Sequence, residues 1–222
     1  MKRFSPYLRE GLNVHVRSNS RLGRMIRWAL NKWLKRICET LGVPVVEVWG
    51  NHDGITVKVN SKMFVGEATP RGSILTPVEE YERLMDLGKC EVKIYEVIGA
   101  SPADEKNAAM YWILNVKGRP YNWMAYPRLL WKSMFFDLSY SKIEWLKKIG
   151  DKVAGWEWAD WCTEGFQNAW MFIKNVLQTG NPTPLTVEQI AGEVPRRAGK
   201  VTMLRDVTDI FIVSTIKKGV IA

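Results

Sequence analysis

"WGNHDGITVKVNSKMFVGEAT", residues 49–69, predicts two antiparallel strands joined by a tight turn, and it carries one of only two histidines in the chain. If Asn60 and Ser61 form a two-residue turn, the pairing that follows sets Gly54 opposite Glu67. A three-residue loop would shift the pairing by one position and turn these side chains to opposite faces. The position of the turn therefore decides which side chains of the hairpin meet.

With the two-residue turn, each face of this hairpin has a distinct composition, because side chains alternate across a strand. One face carries apolar side chains and is expected in the core: Ile55, Val57, Val59 and Phe64. The other face carries His52, Gly54, Thr56, Met63, Val65, Glu67 and Thr69. His52 and Glu67 then lie about 7–8 Å apart at the backbone, a gap that two long side chains close. The alternative is a histidine exposed at a strand end beside an ordinary surface glutamate.

The composition is typical of a folded domain with a substantial core. The chain has 222 residues, of which 46% are hydrophobic, so we expect one domain over residues 1–222. A net charge of +9, spread along the chain, is compatible with an anionic partner without requiring one. The eleven tryptophans fit a core, a membrane interface or a stacking surface, and core packing is the simplest of these.

The lack of a recognisable secretory signal and the pattern of cysteines favour a reducing compartment. The basic N-terminus is not followed by an apolar segment of a secretory signal, and no apolar run is long enough to span a bilayer. The chain has three cysteines, Cys38, Cys90 and Cys162. An odd number without C-x-x-C spacing argues against a disulfide framework and a structural zinc site. We therefore expect a cytoplasmic protein, bacterial or phage-encoded.

The segment before the hairpin predicts an amphipathic helix over residues 20–41. Its apolar stripe consists of Leu22, Met25, Ile26, Ala29, Leu30, Trp33, Leu34, Ile37, Cys38 and Leu41. Cys38 is therefore expected to be a core thiol. The basic side chains of residues 21–36 lie largely outside that stripe and fit a weak contact with phosphates or lipid headgroups, or a solvated face.

The remaining pattern mixes helices and strands. Thr76 and Glu79 have the spacing of a capping box, as do Ser101 and Asp104 at the start of a second helix. Further strands are predicted at residues 90–98 and 207–216. Residues 124–155 are aromatic and basic without a clean period, which indicates an irregular elaboration. Because there is no βαβ alternation, the predicted fold class is α+β.

Cys162 lies in the first turn of a helix predicted at about residues 160–179, with Asp160 as its cap. Unpaired backbone N–H groups and the helix dipole at that position stabilise a thiolate. The Cys162 N–H is also placed to donate to an oxyanion. The alternative is a small apolar filler. Cys90 is expected to be exposed beside a turn, with no histidine near it in sequence.

Five blocks occur in an order that resembles a known family: "NVHVRSNSRLGRMIRWAL", "NHDGITV", "FVGEAT", "GRPYNW" and "WCTEGFQNAW". They are similar to the permuted papain-like cysteine hydrolases, in the NlpC-related, YiiX-like branch. The likeness runs from about residue 11 to residue 194, with "TPLTVEQI" similar to the closing segment. The chain departs from the family pattern at Asp53, where the family more often has an apolar residue, at "CTE" in place of C-S-E, and over residues 124–155.

The resemblance implies a circularly permuted papain-like fold, an antiparallel sheet packed against the cysteine-bearing helix. It assigns Cys162 as the nucleophile, His52 as the group that holds and returns its proton, and Glu67 as the residue that orients the imidazole. Tyr121, in "GRPYNW", either lines the oxyanion side or packs in a turn. His15 lies in a probable strand and is interpreted as structural. No metal or organic cofactor is implied.

The function implied is a thiol hydrolase that acts through an acyl-enzyme on an amide, ester or thioester. An amidase or peptidase acting on a peptide or cell-wall fragment is the first choice, with no obligate nucleic acid. A lipid-acting acyl hydrolase or acyltransferase at an anionic membrane is an alternative. A non-catalytic, basic nucleic-acid-binding module is the alternative from a different class.

Overall fold

The computed structural model describes residues 2–41, 44, 45, 47–121, 145 and 204–214. The elements, in chain order, are β1 Lys2–Phe4, β2 Asn13–Ser18, α1 Arg21–Leu41, β3 His52–Val59, β4 Lys62–Thr69, β5 Gly72–Pro77, α2 Val78–Asp86, β6 Cys90–Val97, α3 Pro102–Asn115, β7 Leu204–Asp206, α4 Thr208–Phe211 and β8 Ile212–Ser214. The helix predicted around Cys162 and, apart from Trp145, the elaboration predicted at 124–155 lie outside the described residues.

The sheet explains how the described elements form one body. Six antiparallel strands run in the order β5-β4-β3-β2-β6-β7, and β1 pairs with β8 separately. One face of the sheet packs on α3 through Ile55, Val57 and the fully buried Trp112. The other face packs on α2 through Val65, Val78 and other buried apolar residues. Helices on an antiparallel sheet confirm the predicted α+β class.

The β3–β4 hairpin has the predicted register. Gly54 lies opposite Glu67, and Asn60 and Ser61 form the two-residue turn. Both turn residues have positive φ, at 49° and 64°, as a type I′ turn requires. This turn matches the right-handed twist of the strands, so it holds the parity that turns His52 and Glu67 to the same face.

A third strand, β5, follows the hairpin and contains Thr76, which the sequence predicts to cap a helix. Thr69 pairs with Gly72, so Pro70 and Arg71 form a second tight turn. Thr76 lies in β5 opposite Val65, and α2 starts at Val78 without a side-chain cap. The predicted capping box at Thr76 and Glu79 is therefore wrong, because strand pairing holds Thr76 in the sheet and its hydroxyl bonds elsewhere.

The capping box of α3 is confirmed. Ser101 Oγ accepts from the Asp104 N–H at 3.2 Å, and Asp104 Oδ2 accepts from the Ser101 N–H at 2.9 Å. These two bonds satisfy donors that the first turn of a helix leaves unpaired. The capped helix then places Trp112 against Gly66, where a Cβ atom would lie 2.6 Å from the indole ring. The cap and the glycine together fix α3 on the sheet.

Replacing Ser101 with alanine is expected to lower the free energy of unfolding by about 1 kcal/mol, the usual effect of losing an N-cap. Urea denaturation of the wild type and the variant measures the difference. Lys106→Ala, an exposed change inside the same helix, is the matched control and should be nearly neutral. Equal losses in the two variants would contradict the assignment of the cap.

The single strand predicted at 207–216 is wrong in its first half. β7 ends at Asp206, residues Thr208–Phe211 form α4, and β8 then pairs with β1. Asp206 Oδ1 accepts hydrogen bonds from the Thr208 N–H at 2.9 Å and from the Thr208 hydroxyl at 2.5 Å. This local turn chemistry competes with strand pairing and bends the chain into a helical turn.

Two of the three cysteines lie in the described part of the chain, and both are buried. Cys38 is 0% exposed and packs with Leu34 and Val48, as predicted. Cys90 is 5% exposed, so the expectation that it is exposed is wrong. It lies in β6, paired with Ser18, and its burial, with smaller contributions from nearby carboxylates, raises the pKa of the thiol to about 11.

The apolar stripe of α1 is buried only in part. Leu34 and Cys38 have no exposed surface, whereas Leu22 and Met25 are 40% and 45% exposed. Among the members of the stripe whose side chains the structure describes, periodicity alone therefore overstates how much apolar surface is buried. No helix among the described residues is both long enough and apolar enough to cross a bilayer.

Candidate active site

The structure brings His52 and Glu67 together at one edge of the β3–β4 hairpin. His52 is the first residue of β3, and Glu67 lies near the end of β4 on the same face. A short hydrogen bond joins His52 Nε2 to Glu67 Oε2. The side chain of Glu67 is 7% exposed and that of His52 is 23% exposed. The carboxylate is thus buried behind an imidazole that solvent still reaches.

Two hydroxyl groups hold the Glu67 carboxylate from behind. The Tyr81 hydroxyl, on α2, donates to Oε2 at 2.8 Å, and the Thr76 hydroxyl, on β5, donates to Oε1. Burial alone raises the pKa of Glu67, but the charge of His52 and the hydrogen bonds from His52, Thr76 and Tyr81 outweigh it and hold the pKa below its ordinary value. Glu67 is therefore ionised at neutral pH.

The ionised carboxylate fixes the tautomer of His52. A carboxylate only accepts hydrogen bonds, so the Nε2 atom that contacts Glu67 must carry a proton. In the neutral ring, Nδ1 is then the basic nitrogen. Proton exchange between His52 and a nucleophile must therefore pass through Nδ1 while Glu67 stabilises the charged ring.

Glycine and asparagine residues shape this end of the hairpin. A Cβ atom at Gly54 would lie 2.4 Å from Val65 Cγ1 and 2.9 Å from the Gly66 carbonyl oxygen, so a larger residue would force β4 to shift beside Glu67. Asn51, directly before His52, donates from Nδ2 to Ser18 O at 3.0 Å and to the Gly23 carbonyl at 2.8 Å. These bonds anchor the start of β3 to the start of α1.

Tyr81 and Thr76 are the two members of this cluster that sequence reasoning missed. The spacing of Thr76 and Glu79 predicts a helix cap, although "GSILTP" after the Pro70–Arg71 turn has the β-branched residues of a strand. Tyr81 lies three residues after Val78, on the face of α2 that packs on the sheet. A buried tyrosine usually finds a partner for its hydroxyl, which was the available signal.

His15 forms a second histidine–carboxylate pair, on the opposite face of the sheet. It lies directly across from Asp53, and Nδ1 is 2.8 Å from Asp53 Oδ1. The His15 ring is 2% exposed and packs against Trp49 and Tyr95, with ring centroids 5.3 and 6.1 Å apart. This burial supports the structural interpretation of His15. Asp53 bonds that histidine on the face away from His52.

Of the other two predicted site residues, the structure describes Tyr121 but not Cys162. Tyr121 is half-buried and follows a segment that runs along β5, where the Ser73 N–H donates to Arg119 O at 2.9 Å. Cys162 lies outside the described residues. The described cluster therefore holds the predicted base and its orienting carboxylate. Within the described ranges, no group of three or more His, Cys, Asp or Glu side chains is placed to hold a metal ion.

Comparisons with known proteins add a distant likeness. No family model and no curated protein matches the chain. Among solved structures, the chain is similar to the crystal structure of the metalloprotein yiiX, DUF1105, from Escherichia coli O157:H7. The two are 18% identical, with a TM-score of 0.44, and the match covers 75% of this chain and 67% of that chain. An α+β architecture with an antiparallel sheet is what the described residues define.

Proposed function

We propose that the protein is a permuted papain-like thiol hydrolase in which Cys162, His52 and Glu67 act together. The observation that carries the proposal is the buried Glu67 carboxylate, which accepts from the Thr76 and Tyr81 hydroxyls and bonds Nε2 of a partly exposed histidine. A surface histidine needs no such support. An imidazole that must accept a proton and release it repeatedly does need it, because the carboxylate fixes the ring and stabilises its charged form.

In the proposed reaction, the Cys162 thiolate attacks the substrate carbonyl and forms a tetrahedral intermediate. His52 protonates the leaving amine as the carbon–nitrogen bond breaks, which leaves a thioester on Cys162. Water then loses a proton to His52 and attacks the thioester, which releases the acid and restores the Cys162 thiolate beside a protonated His52. Glu67 stays ionised throughout and keeps Nδ1 as the nitrogen that exchanges the proton.

An amide or peptide bond is the proposed target, in a peptide or cell-wall fragment. An amine is a poor leaving group unless it is protonated as it departs, and a carboxylate-supported imidazolium supplies that proton. The reaction also needs a reduced thiol, which fits a reducing compartment. Cysteine-directed probes that carry peptide, acyl or cell-wall fragments would identify the substrate class through the adduct that forms fastest.

Iodoacetamide labelling near pH 6 tests the proposal, because only a thiolate reacts quickly at a pH where a free thiol, with a pKa of about 8.5, is protonated. We expect Cys162 to be modified far faster than the other two thiols. Cys38 is fully buried, and Cys90 is buried with a pKa raised to about 11. Peptide mapping over time measures the three rates in one sample. Equal rates, or a faster Cys90, would overturn the proposal.

A further inference from the structure

Helix α1 presents to solvent a face on which two large apolar side chains lie among basic ones. Met25 is 45% exposed and Trp28 is 56% exposed. At 100° per residue these two share one side of the helix with four exposed basic residues. The six residues, here named the Trp28 face, are Arg21, Arg24, Met25, Trp28, Lys32 and Lys35. The Lys32 ammonium lies 5.3 Å from the centroid of the Trp28 ring.

The opposite side of α1 packs against the end of β2 and the segment before β3, so the Trp28 face points away from these contacts. A Cβ atom on Gly23 would lie 2.8 Å from Ser18 O, which shows how closely the helix backbone approaches β2. Further along, Leu34 and Cys38 are fully buried against Val48. The exposure of Trp28 therefore follows from the packing of Gly23, Leu34 and Cys38 on the other side of the helix.

We propose that the Trp28 face docks on the surface of an anionic phospholipid bilayer. A helix lying in the interface places tryptophan at the headgroup level and flexible apolar side chains at the acyl boundary. Arginine and lysine reach phosphates while their aliphatic stems cover apolar surface. The Trp28 face carries both parts on one side, and the net charge of +9 adds long-range attraction.

Nucleic acid fits the same charges less well. Binding to a duplex is dominated by contacts to phosphates, to which exposed methionine and leucine side chains add little. Leu22, 40% exposed, extends the apolar part of α1 beside Met25. Burying Leu22, Met25 and Trp28 at the acyl boundary of a bilayer removes their apolar surface from water, which favours binding to lipid.

The docking does not depend on the proposed hydrolase. It uses no residue of the His52 cluster, and a protein without a reactive Cys162 would still bind. The two are neighbours in the fold, however, because Asn51 bonds the Gly23 carbonyl of α1 and directly precedes His52.

Co-sedimentation of the full chain with phosphatidylcholine vesicles, with and without phosphatidylglycerol, tests the docking. We expect binding to the anionic vesicles to be at least about tenfold tighter, because each basic side chain at such a surface contributes roughly fivefold. Met25→Ser with Trp28→Ser should weaken that binding about tenfold or more through the lost apolar contact. Arg21→Glu with Lys32→Glu should weaken it at least as much, and glutamate suits the first turn of a helix.

The matched control changes one exposed apolar and one exposed basic residue on another helix. Leu114, 72% exposed, and Lys106 both lie on α3, so Leu114→Ser with Lys106→Glu should bind vesicles like the wild type. Equal binding to neutral and anionic vesicles, or equal losses in the α1 and α3 variants, would overturn the proposal. A third outcome would also overturn it: the wild type binds a short DNA duplex but not the vesicles, and the α1 variants lose that DNA binding.

Discussion

Replacing His52 with alanine is expected to slow the alkylation of Cys162 near pH 6 by about 10- to 100-fold. An imidazolium beside a thiol lowers the thiol pKa by several units, so most of the group is thiolate at a pH where a free thiol is almost entirely protonated. Removing the imidazolium returns the thiol towards its free behaviour. The lower intrinsic reactivity of a low-pKa thiolate makes the change smaller than the change in thiolate fraction.

The matched control for this prediction is the second histidine. His15 is buried against Asp53 on the other face of the sheet, so a change at His15 should leave the Cys162 rate unaltered in any variant that stays folded. His15→Gln is preferred to His15→Ala because glutamine keeps polar groups beside Asp53. Circular dichroism checks that the variant is folded. An unchanged Cys162 rate in His52→Ala would exclude the proposed partnership.

Replacing Glu67 with alanine is expected to lower the free energy of unfolding by about 3–5 kcal/mol, because a buried charged acceptor disappears and its donors remain. Those donors are the Tyr81 and Thr76 hydroxyls and the Nε2 proton of His52. The labelling rate of Cys162 should fall as well, since nothing then holds the imidazole. Urea denaturation and the labelling assay measure the two effects.

Glu67→Gln is the conservative partner of that variant. Its carbonyl oxygen can accept from His52 and Tyr81, and its amide can donate to the Thr76 hydroxyl, which accepts as well as donates. We expect a smaller loss of stability and a labelling rate within about tenfold of the wild type, because the geometry survives and the charge does not. A stable Glu67→Ala variant with unchanged labelling would contradict the role of this carboxylate.

The pH dependence of stability shows how much of the stabilisation by Glu67 comes from its charge, because Glu67→Gln keeps the shape of the side chain and removes the charge. Its pKa in the folded protein lies below the ordinary 4.5, so its contribution is complete above that value and is lost as the pH falls through the folded-state pKa. The stability difference between the wild type and Glu67→Gln should therefore shrink on acidification. Glu80→Gln, an exposed change on α2, is the control and should show a much smaller difference at every pH.

The sequence predicts the centre of this site well because strand geometry is local. Once Asn60 and Ser61 form a two-residue turn, alternation alone sets His52 and Glu67 on one face, and the structure has that register. The cap of α3 follows from four consecutive residues in the same way. Both predictions need no knowledge of distant contacts.

The errors arise where tertiary packing competes with a local pattern. Thr76 has the spacing of a helix cap, but β5 pairs with β4 through Pro77 and leaves the hydroxyl facing Glu67. Cys90 follows a turn, yet pairing with β2 buries it. The Tyr81 contact depends on how α2 docks on the sheet, which periodicity does not specify. Sequence therefore identified the histidine and its carboxylate, and only the fold revealed what holds the carboxylate.

The most direct test of the central claim is a chemical cross-link between Cys162 and His52. 1,3-Dibromoacetone alkylates a reactive thiol first and then bonds a nucleophile within reach of its second carbon. Fragmentation of the digested peptides identifies the residue at each end. The proposal predicts a bridge from Cys162 to Nδ1 of His52, since Nε2 is engaged by Glu67. A bridge from Cys162 to a different side chain, with His52 unmodified, would contradict it.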